Sequence, residues 1–189
     1  MPSTPSPSAG NRPIIRAIRS VAQSKLFHIE ALDLRFSNGV ERTYERMKPS
    51  GREAVMIVPV TANQELVLIR EYACGTHQYE LGFPKGLVDL GESAEQAANR
   101  ELTEEVSLQA AKLEPLTRFV LAPSYFSSEM SVWLAQDLTP ASAEGDEPEP
   151  LEVVYWPIDR WQELLTRDDF REARAIAALL LAQRHLGWA

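Results

Sequence analysis

The stretch GLVDLGESAEQAANRELTEEVSL, residues 86–108, decides how the rest of the chain is read. Ser93 followed by Gln96 forms an S-x-x-Q capping box, each side chain reaching the other's backbone N–H. It predicts a helix over about residues 94–106. That helix carries Glu101, Glu104 and Glu105 together. Like charges three and four residues apart repel, whereas an ordinary surface helix sets Lys or Arg four residues after a Glu. Within the helix the repulsion is expected to stand uncancelled. Either solvent tolerates an acidic face, or a cation from outside the chain neutralises it.

At about 100° per residue, the three carboxylates lie within about a third of the helix circumference. Ala94 and Ala97 fall on the same face, where small side chains would let a loop or ligand come close. Ala98, Leu102 and Val106 fall on the adjacent sector, predicted to face the core. A face of hard oxygen donors beside a glycine-rich loop suits Mg²⁺, which prefers such ligands, keeps several waters and is often shared with substrate phosphates.

Outward from the helix, KLFHIEALDLRFSNGVERTYERMK alternates apolar and polar residues around SNGV. Asn38-Gly39 predicts a hairpin with a type I′ turn, which needs positive φ at both central positions. AVMIVPVTANQELVLIREY predicts strands over 54–60 and 65–71, joined by a turn at 62–64. Residues 73–91, with several glycines and a proline, read mostly as loop. Beyond the helix come strands near 117–121 and 130–135, then the acidic, proline-rich loop ASAEGDEPEP and a strand in LEVVYWPI. Helical periodicity marks about 159–166 and 169–186. Many strands and few helices, without regular β-α-β alternation, predict an α+β domain with a mixed sheet. Residues 1–13, rich in Pro and Ser, are predicted to be disordered.

A chain of 189 residues accommodates one domain with extra segments and a sizeable core. Its net charge of −8 argues against a nucleic-acid polymer as partner, since that needs a basic footprint to displace counterions. A small phosphate ligand remains open, because a bound divalent cation inverts the local field. Cys74 is the only cysteine, which rules out an internal disulfide. No apolar run approaches membrane-spanning length, and MPSTPSPSAGNRP lacks the apolar centre of a signal peptide. The expectation is a cytoplasmic protein with no membrane partner.

The spacing of the opening stretch is more specific than its charge. Gly86, five residues, Glu92, seven residues, Arg100-Glu101-Leu102, one residue, Glu104-Glu105, one residue, Ser107-Leu108 resembles the Nudix box, G-x5-E-x7-R-E-U-x-E-E-x-G-U. Ser107, in place of the final glycine, is the one departure. It lies just past the helix, where positive φ is common, so its expected cost is stability, on the order of 1 kcal/mol, and not a ligand. The segments FSNGVERTYERMKPSGREAVMIVPV, LIREYACGTHQYELGFPKGLVDLGES, APSYFSSEM and EGDEPEP extend the likeness from about residue 15 to near the C-terminus. The chain resembles the ADP-ribose pyrophosphatase branch of the Nudix superfamily.

That resemblance implies an α/β/α sandwich preceded by an antiparallel hairpin, with residues 14–50 as a dimerisation segment and 51–189 as the hydrolase domain. It implies a homodimer, which a hairpin marginal by itself makes physically reasonable. The activity implied is Mg²⁺-dependent hydrolysis, with Mn²⁺ as substitute, of ADP-linked small molecules such as ADP-ribose, NADH or diadenosine polyphosphates. By the same likeness Glu101, Glu104, Glu105 and the Lys85 carbonyl are metal ligands, while Glu92 and Arg100 orient loop and helix. A base is needed for the attacking water, and carboxylates committed to metal serve poorly; Glu149, then Glu147, are the candidates from the acidic loop. Tyr44 sits where similar enzymes stack adenine. Arg52, Arg70 and Lys85 are candidate phosphate contacts, and Ser128 and Glu129 lie in a loop between strands that resembles a substrate-side loop. The alternatives are a regulatory module that keeps the fold without the chemistry, and a hydrolase of nucleoside triphosphates or RNA 5′ ends.

Overall fold

The structure is a computed structural model that describes residues 12–49, 51–143, 145 and 148–188. The disorder expected for residues 1–13 falls, through residue 11, outside the described residues. The chain divides into two compact units, residues 1–51 with 120–128, and residues 52–119 with 129–189.

The first unit is built on an antiparallel sheet of β1 (Ile14–Gln23), β2 (His28–Arg35) and β3 (Glu41–Met47), in that order. β1 is absent from the sequence reading for a physical reason. All ten of its residues are exposed, so no buried-polar alternation marks it. The β2–β3 turn also differs from expectation. Gly39 takes φ +84°, but Asn38 is not among the positive-φ residues. The Gly39 N–H donates to the Phe36 carbonyl at 2.9 Å, and the Asn38 Oδ1 accepts from the Val40 N–H at 3.1 Å. This is a longer loop with one left-handed glycine rather than a type I′ turn.

In the second unit, β4 (Ala54–Pro59) is the centre. Its AVMIVP run is buried along almost its whole length, as a strand covered on both faces must be. It pairs antiparallel with β7 (Lys85–Leu87) and parallel with β9 (Glu129–Pro140), within the order β7-β4-β9-β8, where β8 is Leu108–Val120. A second, antiparallel sheet runs β10-β5-β6, from Glu152–Pro157, Glu65–Ala73 and Gln78–Gly82. Helix α1 (Ala94–Val106) packs Ala98, Leu102 and Val106 against Val55, Ile57, Val67 and Ile69. A short 3-10 turn, Ile158–Arg160, runs into α2 (Trp161–Leu164). Helix α3 (Ala173–Leu186) buries Ala175, Ala178, Leu179 and Ala182. Ala175 and Met56 line one small cavity, so the alternate side chains of β4 meet α3 rather than α1. The fold is α+β, with a mixed sheet between helices.

Several boundaries move from their expected places. Residues 73–91 are loop and turn over more than half their length, but they also hold two short strands: β6 pairs with β5, and three-residue β7 pairs Lys85 with Met56. Such short strands, flanked by Gly82 and Pro84, carry no period of their own. The strand expected at 117–121 begins at Leu108. The last helix starts at Ala173 rather than 169. The Asp169 carboxylate is taken by Arg167 and Arg70, while the Glu172 carboxylate caps the helix by accepting from the Arg174 and Ala175 N–H groups. Ala97, expected beside the glutamates, is fully buried in the core, because the apolar stripe of α1 is wider than the sequence reading allowed.

The start of α1 is as read, with both halves of the Ser93–Gln96 capping box formed. Its end is strained. Ser107 sits in the left-handed region at φ +56° while its N–H closes onto the Leu102 and Thr103 carbonyls. Ser107→Gly is therefore expected to raise stability by up to about 1 kcal/mol, or roughly 2–4 °C in melting temperature. Differential scanning calorimetry checks this; a lower midpoint would mean that the strain at Ser107 is offset by what its side chain contributes.

Among the described residues, no helix is long and apolar enough to cross a membrane.

Candidate active site

The second unit contains a cavity of about 740 Å³ between the β7 backbone, the polar face of α1 and residues 148–151. Three local features place its carboxylates. The capping box fixes where α1 begins, the apolar stripe fixes its rotation, and Gly86 fixes how closely the helix approaches β7. A Cβ at position 86 would lie 2.0 Å from the Glu101 carboxylate. Only glycine leaves that carboxylate its place against the strand.

Arg100 organises the face. Its Nε and Nη2 donate to the two Glu92 oxygens at 3.0 Å each, and Nη2 also reaches the Leu87 carbonyl at 2.8 Å. Its Nη1 donates to Glu101 Oε1 and Glu104 Oε2, both at 2.8 Å. Glu92 accepts in addition from the Asp89 N–H at 3.1 Å. The Arg100 guanidinium holds the Glu92 carboxyl below its ordinary value, and Glu92, then Glu101 and Glu104, hold the guanidinium above its own. This corrects the expectation of uncancelled repulsion: adjacent residues on a helix do not usually face each other, but the long Arg100 side chain reaches both glutamates.

Glu105 is treated differently. It points inward, and its Oε2 accepts from the Lys85 N–H at 2.9 Å. Burial pushes its carboxyl up to about 8, with Glu101 and Glu71 adding to the rise and Lys85 opposing it. The Lys85 ammonium is ion-paired with Glu71. One carboxylate of the three thus lies in a low-dielectric place where its ionised form calls for more positive charge than the chain supplies.

The residues fit a divalent cation. Their donors are hard carboxylate oxygens, Glu105 gains its ionised form from such an ion, and Gly86 leaves backbone and carboxylate in contact. Among the described residues, no three acidic, His or Cys side chains already converge as a cage, since Arg100 draws Glu101 and Glu104 to itself.

The other candidates are distributed unevenly. Arg52 lines the cavity and pairs with Asp89 at 3.2 Å. Glu149 also lines it and accepts from the Tyr79 hydroxyl. Glu147 lies outside the described residues. Arg70 is held by Glu152 at 3.0 Å and Asp169 at 2.7 Å, and it lines a neighbouring cavity of about 290 Å³ that shares residues 148–151. Tyr44 belongs to the first unit, half exposed, its ring 6.3 Å from that of Phe36. Neither Ser128 nor Glu129 lines the cavity. The Ser128 carbonyl accepts from the Leu121 N–H at 2.9 Å, and Glu129 pairs with Arg118 at 3.1 Å. Three neighbours escaped the sequence reading: Glu71, Asp89 and Tyr79. No motif carries them, and two of the three lie in the stretch read as loop.

Two family models match the chain, the NudE-type Nudix hydrolase N-terminal domain over residues 13–46 and the NUDIX domain over residues 51–179. ADP compounds hydrolase NudE of Escherichia coli (strain K12) is 56% identical over 175 residues, covering 93% of this chain and 94% of that protein. ADP-ribose pyrophosphatase of Bacillus subtilis (strain 168) is 26% identical over 172 residues, covering 87% and 92%. A solved crystal structure of an ADP compounds hydrolase superposes with a TM-score of 0.90 at 56% identity, over 93% of this chain and 95% of that one.

Proposed function

Because the chain belongs to the Nudix family, whose members generally use divalent cations, we propose that it is a Mg²⁺-dependent pyrophosphohydrolase, with Mn²⁺ as substitute. Its substrates are ADP-linked small molecules such as ADP-ribose, NADH or diadenosine polyphosphates, cleaved at the diphosphate to AMP and a phosphorylated product. The observation that carries this reading is the carboxylate face of α1, pinned by Arg100 and ending in partly buried Glu105, in a cavity large enough for a diphosphate.

Glu101, Glu104, Glu105 and the Lys85 carbonyl would hold the ion. When bound, it supplies Lewis-acid neutralisation of the phosphate oxygens. The chain's own residues do the rest. Arg100 and Glu92 keep the helix face and the residue 87–92 loop in one arrangement, so the carboxylates need not reorganise. Arg52, paired with Asp89, and Lys85, whose ammonium is paired with Glu71, both line the cavity as candidate phosphate contacts. Glu149 lines the same cavity without belonging to the α1 cluster, and so takes the proton of the attacking water.

The β1 sheet supports the homodimer reading: Ile14, Ile15, Ile18 and Val21 are 50–61% exposed. Apolar side chains in that number call for a cover, and a second copy of residues 14–50 is the cover proposed. Light scattering that returned a monomer mass would end that reading. Cys74, exposed and unpaired, fits a cytoplasmic location, which cell fractionation tests.

The function itself is tested by a substrate panel with product identification. ADP-linked compounds are expected to give AMP plus a phosphorylated second product. Preferential conversion of nucleoside triphosphates, or of RNA 5′ ends, would overturn the substrate class.

A further inference from the structure

We propose that Tyr79, on β6, is a positioning residue for this reaction: its hydroxyl holds the Glu149 carboxylate in the wall of the catalytic cavity. The inference rests on the reading of Glu149 as the base. It adds the residue that fixes where that base stands.

Glu149 sits in an acidic, proline-rich loop outside any helix or strand. A carboxylate on such a segment has many rotamers, and a general base must reach one water at hydrogen-bond distance. Pro148 and Pro150 stiffen the backbone on either side but do nothing for the side chain. Tyr79 does. Its phenol O–H donates to Glu149 Oε1, and it comes from a strand paired with β5. One carboxylate oxygen is thereby fixed to the sheet, on a residue that lines the cavity.

Tyr79 is itself held. The Tyr72 ring, across from it in the β5–β6 register, meets it edge to face at 5.8 Å. The Tyr72 hydroxyl is 2.8 Å from His77 Nδ1, and the two rings are also edge to face at 5.8 Å. The chain of contacts therefore runs from a hairpin of the sheet, through two phenols packed edge to face, to the loop carboxylate. Edge-to-face pairs of this kind fix ring direction as well as adding contact. Glu149 in turn raises the Tyr79 phenol above its ordinary value, first through their hydrogen bond, so the phenol keeps its proton and remains the donor.

A second feature argues for position rather than stability. Tyr79 is half exposed and lines the smaller cavity behind residues 148–151, so its hydroxyl supports nothing in the core. Removing that oxygen leaves the ring and its packing on Tyr72 in place.

The test is a double-mutant cycle of Tyr79→Phe and Glu149→Gln, with Mg²⁺ saturating and ADP-ribose as substrate. Tyr79→Phe is expected to lower kcat about 10- to 100-fold, the scale of a catalytic group displaced by about 1 Å, with KM and melting temperature nearly unchanged. In the Glu149→Gln background the same change is expected to cost less than about twofold, because the group it positions is already gone. Independent, multiplicative losses would overturn the proposal, as would a Tyr79→Phe enzyme of full or increased kcat. If Glu149→Gln alone keeps full turnover, the base assignment fails and the positioning role fails with it. If Glu149→Gln is deeply impaired and Tyr79→Phe is not, the base stands and the positioning role alone is lost.

Discussion

Glu105→Gln is expected to fold normally and to lose turnover by on the order of 10³-fold, about 4 kcal/mol of transition-state stabilisation. The substitution keeps size and keeps an acceptor for the Lys85 N–H, but removes the one carboxylate of Glu101, Glu104 and Glu105 that Arg100 does not pair with. Circular dichroism and phosphate release check the two halves of this expectation. Near-normal turnover at saturating Mg²⁺ would sink the assignment of Glu105 as a ligand.

The raised carboxyl makes the same variant informative without metal. Folded Glu105 holds its proton up to about pH 8, against an ordinary value of 4.5. Between those two pH values the folded state binds a proton that the unfolded chain has released. The metal-free wild type therefore loses stability as pH rises through that window, and the neutral Gln side chain does not. In chelator at pH 8, Glu105→Gln is expected to melt above wild type, with the two converging near pH 4.5. Metal affinity runs the other way. Wild type should bind Mg²⁺ more tightly as pH rises toward 8, because the ion must displace the Glu105 proton. An affinity independent of pH between 5 and 8 would contradict the burial argument.

Glu149→Gln is expected to lower turnover by ~10²–10⁴-fold, the usual contribution of a positioned base. Metal affinity and KM should change little, since the interaction is made only in the transition state. Among the described residues, the hydrogen bond of the Glu149 carboxylate is to the Tyr79 hydroxyl, on β6 and not on α1. If the acidic loop were only solvated surface, turnover should change by less than about twofold. A large loss from Glu147→Gln instead would move the role two residues along the loop. Steady-state kinetics on ADP-ribose decides between the two.

The elements legible in the sequence were those whose signal is local. Ser93 and Gln96 cap α1 through bonds spanning three residues, so the start of that helix and the company of Glu101, Glu104 and Glu105 could be read without any tertiary contact. The left-handed end at Ser107 was legible for the same reason. Strand β4 was legible because both of its faces are buried, which leaves an apolar run. What the sequence could not show depends on partners distant along the chain. β7 is three residues long and exists because β4 lies beside it. β1 is exposed throughout and carries no buried-polar alternation. The different fates of the three glutamates were also decided by tertiary structure. All three share a residue type and a helix face, yet Arg100 neutralises two while the rotation of α1 against β7 turns the third inward onto the Lys85 backbone. Charge, spacing and capping are written in the chain itself; desolvation is set by what packs around a group, and it is desolvation that separates Glu105 from its neighbours.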